Sequence, residues 1–204
     1  STPTYPPYVP TNPTNSPYQS NQQPARTVYL GGVGADVSVE DICDHIHTGQ
    51  LQSVRLNPEK RCAFVTFIKA ESAEIFLARA MQFGLAIRNN ALKPAFAKER
   101  SANGESTLPG AIVSALRRGW TRNLFLGNVD FNCLSAETLI TELSRFGPLD
   151  RVQILKDRNL AFAHFANLLD AGRAFEGLKG DVNFASCRIG FGRDRCEPAS
   201  GNGN

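Results

Sequence analysis

Four aromatic side chains sit where strand alternation would turn them away from a core. In Val28-Tyr29-Leu30-Gly31 and Leu124-Phe125-Leu126-Gly127, large residues flank a central aromatic. Successive side chains of a strand point to opposite faces. Tyr29 and Phe125 therefore oppose their aliphatic neighbours. The same alternation in Ala63-Phe64-Val65-Thr66-Phe67 and Ala161-Phe162-Ala163-His164-Phe165 puts Phe67 and Phe165 in the core and Phe64 and Phe162 outside it. An aromatic pair on an open sheet is costly unless something covers it. The chemistry it suits is the stacking of a flat base, worth about 1–3 kcal/mol per base. Alternation places further residues on the same faces: Cys62, Leu160 and His164 on the aromatic strands, Arg55 and Asn57 in one half, Arg151 and Gln153 in the other. Lys60 and Arg158 open the aromatic strands, Lys93, Lys98, Arg188 and Arg193 fall on later ones, and Asn128 closes an early one. A solvated surface is the default for such cations, and about half are expected to touch a ligand.

The elements that must hold these residues occur twice. After each opening strand comes a serine-capped helix: Ser38 before Ile42 and Ile46, Ser135 before Leu139, Leu143 and Phe146, with the apolar residues on one helical face. Val54 and Leu56, or Val152 and Ile154, mark a second strand. The aromatic strand follows, then a helix carrying Ile75, Phe76 and Ala80, or Ala171, Ala174, Phe175 and Leu178. Phe96, or Ile189 with Phe191, marks the last strand. The order is β-α-β-β-α-β twice, so the fold class is α+β with two ferredoxin-like units. Tyr29 to Phe125 spans 96 residues and Phe64 to Phe162 spans 98, as two copies of one fold require.

Both copies resemble the RNA-recognition motif (RRM), whose RNP1 strand reads K/R-G-F/Y-G/A-F-V-x-F/Y. Lys60-Arg61-Cys62-Ala63-Phe64-Val65-Thr66-Phe67 matches at five of eight positions, and Arg158 through Phe165 at four. The third, normally aromatic, position is Cys62 or Leu160, so fewer than three stacked bases per domain are expected. The RNP1 glycine is replaced by Arg61 and Asn159, and the strand-ending asparagine, kept at Asn128, is Gly32 in the first copy. Thr121-Arg122-Asn123-Leu124-Phe125-Leu126-Gly127-Asn128-Val129, Phe146-Gly147-Pro148-Leu149 and Asn159 through Phe165 are similar to a fungal group, the negative regulators of differentiation. That resemblance implies a longer protein with several RRMs, of which this chain is an N-terminal pair, regulating messenger RNA after transcription. The implied partner is single-stranded RNA, acting on mRNA stability or translation.

Charge does not announce this partner. Residues 26–100 carry ten Lys/Arg against eight Asp/Glu, and residues 122–196 ten against nine. Affinity must then lean on stacking and hydrogen bonds as well as phosphate contacts. Two-aromatic platforms suit small bases, so pyrimidine-rich RNA is expected. The five cysteines include no C-x-x-C pair, which argues against a disulfide framework or zinc knuckle and for a reduced, intracellular compartment. The expected location is the cytoplasm, with the nucleus as a second compartment. No metal, cofactor or catalytic residue is expected, nor a signal peptide or membrane span, and the chain is expected to be monomeric. His45 and His47 lie two apart on a helix and read as surface or packing residues.

The expected organisation is a disordered segment 1–25, an RRM over 26–100, a linker 101–121, a second RRM over 122–196 and a flexible tail 197–204. Thr2 and Ser16, each before a proline, are candidate phosphorylation sites in the first segment. Within the linker, Pro109 and Gly119 bracket a helix over 109–118 with an apolar stripe of Ile112, Ala115 and Leu116. So short a helix is marginal alone, and it is expected to pack against an RRM, anchored by Trp120, and to fix the two domains. The alternative function is a protein-interaction module that uses a sheet or this helix.

Overall fold

The computed structural model describes residues 25–97 and 108–199. The expectations for Thr2, Ser16 and Lys98 lie outside the described residues.

The first unit runs β1 (Thr27–Gly31), α1 (Val39–Cys43), β2 (Leu51–Asn57), β3 (Cys62–Phe67), α2 (Ala70–Phe83), a small hairpin of β4 (Ala86–Ile87) and β5 (Asn90–Ala91), and β6 (Lys93–Phe96). A linker helix α3 (Gly110–Arg117) leads to β7 (Asn123–Gly127), α4 (Ala136–Ser144), β8 (Leu149–Leu155), β9 (Leu160–Phe165), α5 (Leu168–Lys179) and β10 (Arg188–Phe191). Each unit has an antiparallel four-stranded sheet, ordered β2-β3-β1-β6 and β8-β9-β7-β10. The two aromatic strands are therefore central in each.

Alternation decides the layers as the sequence predicts. Val28, Leu30, Ala63, Val65 and Phe67 are fully buried against α1 and α2, and Leu124, Leu126, Ala161, Ala163 and Phe165 against α4 and α5. Truncating Phe67 or Phe165 to alanine would cost about 3–5 kcal/mol. Ser38 caps α1 in a reciprocal capping box with Asp41, and Ser135 caps α4 by accepting from the Thr138 amide.

Three helical expectations are corrected. The first helix ends at Cys43, so Ile46 is buried from the following turn. Phe146 likewise follows α4 rather than riding on it. Ile75 is 40% exposed, because the buried stripe of α2 runs through Ser72, Ala73, Phe76, Leu77 and Ala80. The β4–β5 hairpin has no counterpart in the sequence reading. Its turn puts Arg88 and Asn89 at positive φ, which a two-residue hairpin turn requires.

The linker helix is observed, one residue shorter at each end than expected. Ile112 and Ala115 are buried with Leu168 of α5, and Ile68 of the first unit packs on the same cluster. Trp120 stacks on Phe191 at 5.7 Å between ring centroids and packs against Gly172 of α5, where a Cβ would come within 1.8 Å of its ring. Arg118 covers the indole at 4.3 Å and pairs with Glu176. The helix is thus wedged between the units.

The segment after β10 holds to its own unit through Asn123, Arg122 and Asp150 and reaches the other as well. Residues 193–198 form a strap that returns to the first unit. Cys196 is fully buried in the first core and its carbonyl accepts from the Gly49 amide at 3.1 Å. Beside it, the Val54 amide of β2 donates to the Ala166 carbonyl at 2.8 Å, and Ser53 bridges Asn167. The expected end of the second domain at 196 therefore falls among residues that complete the first. The tail expected over 197–204 is described only to residue 199, and Glu197 there still pairs with Arg193.

Candidate nucleic-acid interface

Strand register aligns one row of side chains across each open sheet face. In the first it runs Arg55, Phe64, Tyr29, Ala95 and in the second Gln153, Phe162, Phe125, Gly190. All four aromatics are half-buried. Tyr29 and Phe64 lie 5.5 Å apart at 61°, and Phe125 and Phe162 lie 5.5 Å apart at 52°. The first pair meets edge-on and the second tilted, and both leave π surface open.

Two glycines shape these platforms, and the sequence reading did not use them. A Cβ on Gly31 would stand 3.0 Å from the Tyr29 ring, and one on Gly127 would stand 2.9 Å from the Phe125 ring. Each first-strand aromatic thus folds over the residue two places on. The signal was present in sequence as aromatic-x-Gly in both copies. Beside the rings, β6 and β10 carry Ala95 and Gly190, and among the described residues nothing lies within 4 Å of where a Cβ on Gly190 would be. The first platform opens onto a pocket of about 360 Å³ lined by Tyr29, Phe64, Ala95, Phe96 and Ala97.

The flanking residues divide into several groups. Arg55 is exposed, with its guanidinium 5.4 Å from the Phe64 centroid, as a cation–π contact requires. Gln153, Lys60, Lys93, Arg158 and Arg188 are exposed. Lys93 and Arg188 stand beside Gly31 and Gly127 on the edge strands. Cys62 is buried yet belongs to neither core cluster, and Leu160 is half-buried, so both form the floor of their faces. Asn57 accepts from the Lys60 amide at 3.1 Å and closes the β2–β3 turn. Arg193 lies beyond the end of β10, in the strap, rather than on the strand.

Asn128 holds a backbone position. Its φ is +57°, and its amide donates to the Ser186 carbonyl at 2.9 Å. Gly32 occupies the matching place at φ +79°, so the apparent departure is two residues that both tolerate left-handed backbone. The RNP1 glycine position behaves alike: Arg61 and Asn159 have φ of +48° and +53°, and their carbonyls accept from the Val33 and Val129 amides.

Two expected ligand contacts are placed elsewhere by the structure. His164 and Arg151 do lie on the outer face of the second sheet, in a row with Asn123; there His164 and Asn123 are buried, while Arg151, half-exposed, is drawn into ion pairs with the first unit. Arg151 donates to Glu40 at 2.6 Å and to Asp44 at 2.9 Å, both on or next to α1 of the first unit. His164 is 7% exposed, and burial, reinforced by Arg122, pushes its imidazole down to about 4. The Asn123 amide group donates to the Arg193 carbonyl at 2.9 Å. Alternation gives the face correctly and is silent about what packs on it.

Beneath this row lies a charged cluster that sequence reasoning missed. Arg122 is fully buried. It donates from Nε and Nη2 to the two Asp194 oxygens, both at 2.8 Å, and from Nη1 to the Phe165 carbonyl at 2.8 Å. Asp150 stands 3.5 Å away and is gripped by Arg195, which also reaches Asp44 at 2.8 Å. Burial opposes ionisation of Asp194, yet Arg122 holds its carboxyl below the usual range. Burial wins at Asp150 and raises it, although Arg122 and Arg195 pull the other way. The signal was a charged residue, Arg122, at an inward parity position beside Leu124 and Leu126.

Two ferredoxin-like sheets with RNP1-like central strands define the class: the chain is a tandem RRM protein. No family model matches it. It is similar to the RNA-binding protein MRN1 of Saccharomyces cerevisiae, 32% identical over 84% of this chain and 28% of that protein. It is also similar to the meiotically up-regulated gene 24 protein of Schizosaccharomyces pombe, 32% identical over 91% of this chain and 27% of that protein. The chain thus spans under a third of the length of these fungal relatives. Among solved structures, the first two RRM domains of yeast poly(U) binding protein match at 22% identity over 83% of this chain and all of that one, with a TM-score of 0.32.

Proposed function

We propose that this chain binds single-stranded RNA, with bases stacked on Tyr29 and Phe64 in one domain and on Phe125 and Phe162 in the other. The observation that carries this reading is the same outward row in both sheets: a half-exposed aromatic pair with a small residue beside it and a polar chain at the edge. Stacking is tolerant of sequence, while Arg55, Gln153 and strand-edge groups such as Lys93 and Arg188 supply selectivity and phosphate contacts. A platform of two aromatics suits small bases, and on that ground the preferred ligand is pyrimidine-rich RNA. Lys60, Arg158 and Lys98 are assigned to phosphate. The fungal relatives include a named RNA-binding protein, which supports the same reading. We assign the chain to sequence-selective control of mRNA stability or translation by a monomer, in the cytoplasm with a nuclear phase.

The test is selection of binders from a randomised RNA pool by the wild type, Phe64→Ala and Phe162→Ala. A short enriched motif, with each substitution weakening binding by about 1–3 kcal/mol, is the expected result. Silence of both substitutions would remove the sheets as the site. The rival reading, a protein-docking linker helix, is disfavoured because Ile112 and Ala115 are already buried against Leu168.

A further inference from the structure

We infer that Arg122 is a positioning residue for RNA recognition: it fixes the spacing between the two platforms, so that the chain selects the distance between two half-sites as well as their bases. This inference rests on the sheet-stacking reading above.

A tandem pair joined only by a linker would present two platforms at a variable separation. Here separate contacts cross between the units. The linker helix is wedged against Ile68 and α5. The β2 edge pairs with Ala166 and Asn167. Helix α1 meets Arg151 and Arg195 through Glu40 and Asp44. The strap puts Cys196 into the first core.

Arg122 joins these. Its planar fork is filled by Asp194, whose Oδ2 also accepts from the Leu51 amide of the first domain at 3.2 Å. Nη1 also faces Cys43 of the first domain at 3.9 Å, and Nη2 faces Cys196 of the strap at 3.4 Å. One side chain thereby ties the start of β7, the strap and the edge of the first sheet. A guanidinium does this because it offers a rigid array of donors that an ammonium lacks. Charge buried this completely holds one geometry or is exposed at great cost. The β7 strand that begins beside Arg122 carries Phe125, so the restraint is transmitted directly to the second platform.

A rigid pair has a distinct binding signature. Effective concentration peaks where the ligand's connector matches the span and falls away on either side, whereas independently moving domains give a shallow dependence. The experiment uses the whole chain and RNAs carrying the two selected half-sites joined by abasic connectors of increasing length. The expected result for the wild type is a clear optimum, with affinity falling at least about tenfold once the connector is too short to span the platforms, and declining about threefold for each doubling of length beyond it. Arg122→Gln is expected to flatten the profile to within about twofold while each isolated half-site binds as before. Arg122→Lys, which keeps the charge without the fork, is expected to flatten it in the same direction.

A flat wild-type profile overturns the inference without recourse to any variant, even if Arg122→Gln fails to fold. A profile that keeps its optimum in a folded Arg122→Gln protein removes Arg122 from the role. Both outcomes leave the stacking reading intact so long as Phe64→Ala and Phe162→Ala weaken half-site binding. If those two are silent, it is the stacking reading that has failed.

Discussion

Replacing Arg122 by methionine keeps an apolar stem of similar length and deletes the fork. Asp194, 1% exposed, would lose both 2.8 Å donors and keep, among the described residues, the Leu51 and Cys196 amides. Asp150, fully buried at its side chain, would be left with Arg195 as its one cationic partner among those described. Removing one member of a buried ion pair costs about 3–5 kcal/mol, because the surviving charge stays desolvated. That is a large fraction of the roughly 5–15 kcal/mol that holds a typical domain together. The assay is guanidinium unfolding followed through Trp120, the chain's single tryptophan, which sits on Gly172 and Phe191. The wild type is expected to unfold in one transition and the variant in two, at lower denaturant, as the domains uncouple. The pH dependence supplies a second arm. Asp194 is depressed in the folded wild type, so its contribution is present above the unfolded carboxylate value and lost as pH falls through the folded one. Without Arg122, burial raises it above the unfolded value, so acid should relieve the variant. A loss below about 1 kcal/mol, the range of exposed pairs, with an unchanged acid slope would refute the reasoning.

Gly172→Ala would place a methyl within 1.8 Å of the Trp120 ring, and a loss of about 1–3 kcal/mol with a red-shifted tryptophan emission is expected. Gly127→Ala would force the Phe125 ring aside, so RNA binding should lose part of the about 1–3 kcal/mol of one stack while the melting temperature hardly moves. His164, held down to about 4 against an ordinary 6.5, leaves the unfolded chain to take up the proton first, so stability should fall by about 1–2 kcal/mol between pH 7 and 5. The raised Asp150 carboxyl gives the opposite slope, and comparison with His164→Gln isolates the histidine term. Arg61→Gly should be neutral or mildly stabilising, by up to about 1 kcal/mol, because Arg61 sits at φ +48°; a thermal melt of the variant checks it.

Period-two alternation is a local property of the chain, and it was enough to place Tyr29, Phe64, Phe125 and Phe162 outward, Phe67 and Phe165 inward, and two sheets in tandem. Helix caps at Ser38 and Ser135 were legible for the same reason, since a cap is settled within four residues. Helix length was less so: α1 stops after five residues because the chain turns to bury Ile46. The folding of Tyr29 over Gly31 and of Phe125 over Gly127 sat at the margin, written in the sequence as a two-residue spacing and visible only once the rings were placed. What covers a face is a different kind of fact. His164 and Arg151 have the outward parity of a ligand-facing residue, and only the arrival of α1 and the strap turns them into interface. Arg195 meets Asp44 across 151 residues, and the Leu51 amide meets Asp194 across 143. No periodicity spans such separations. The sequence by itself determined which side chains each sheet presents, because that follows from backbone geometry; the tertiary structure decided which of them remain open, because burial depends on segments that meet only after the chain has folded.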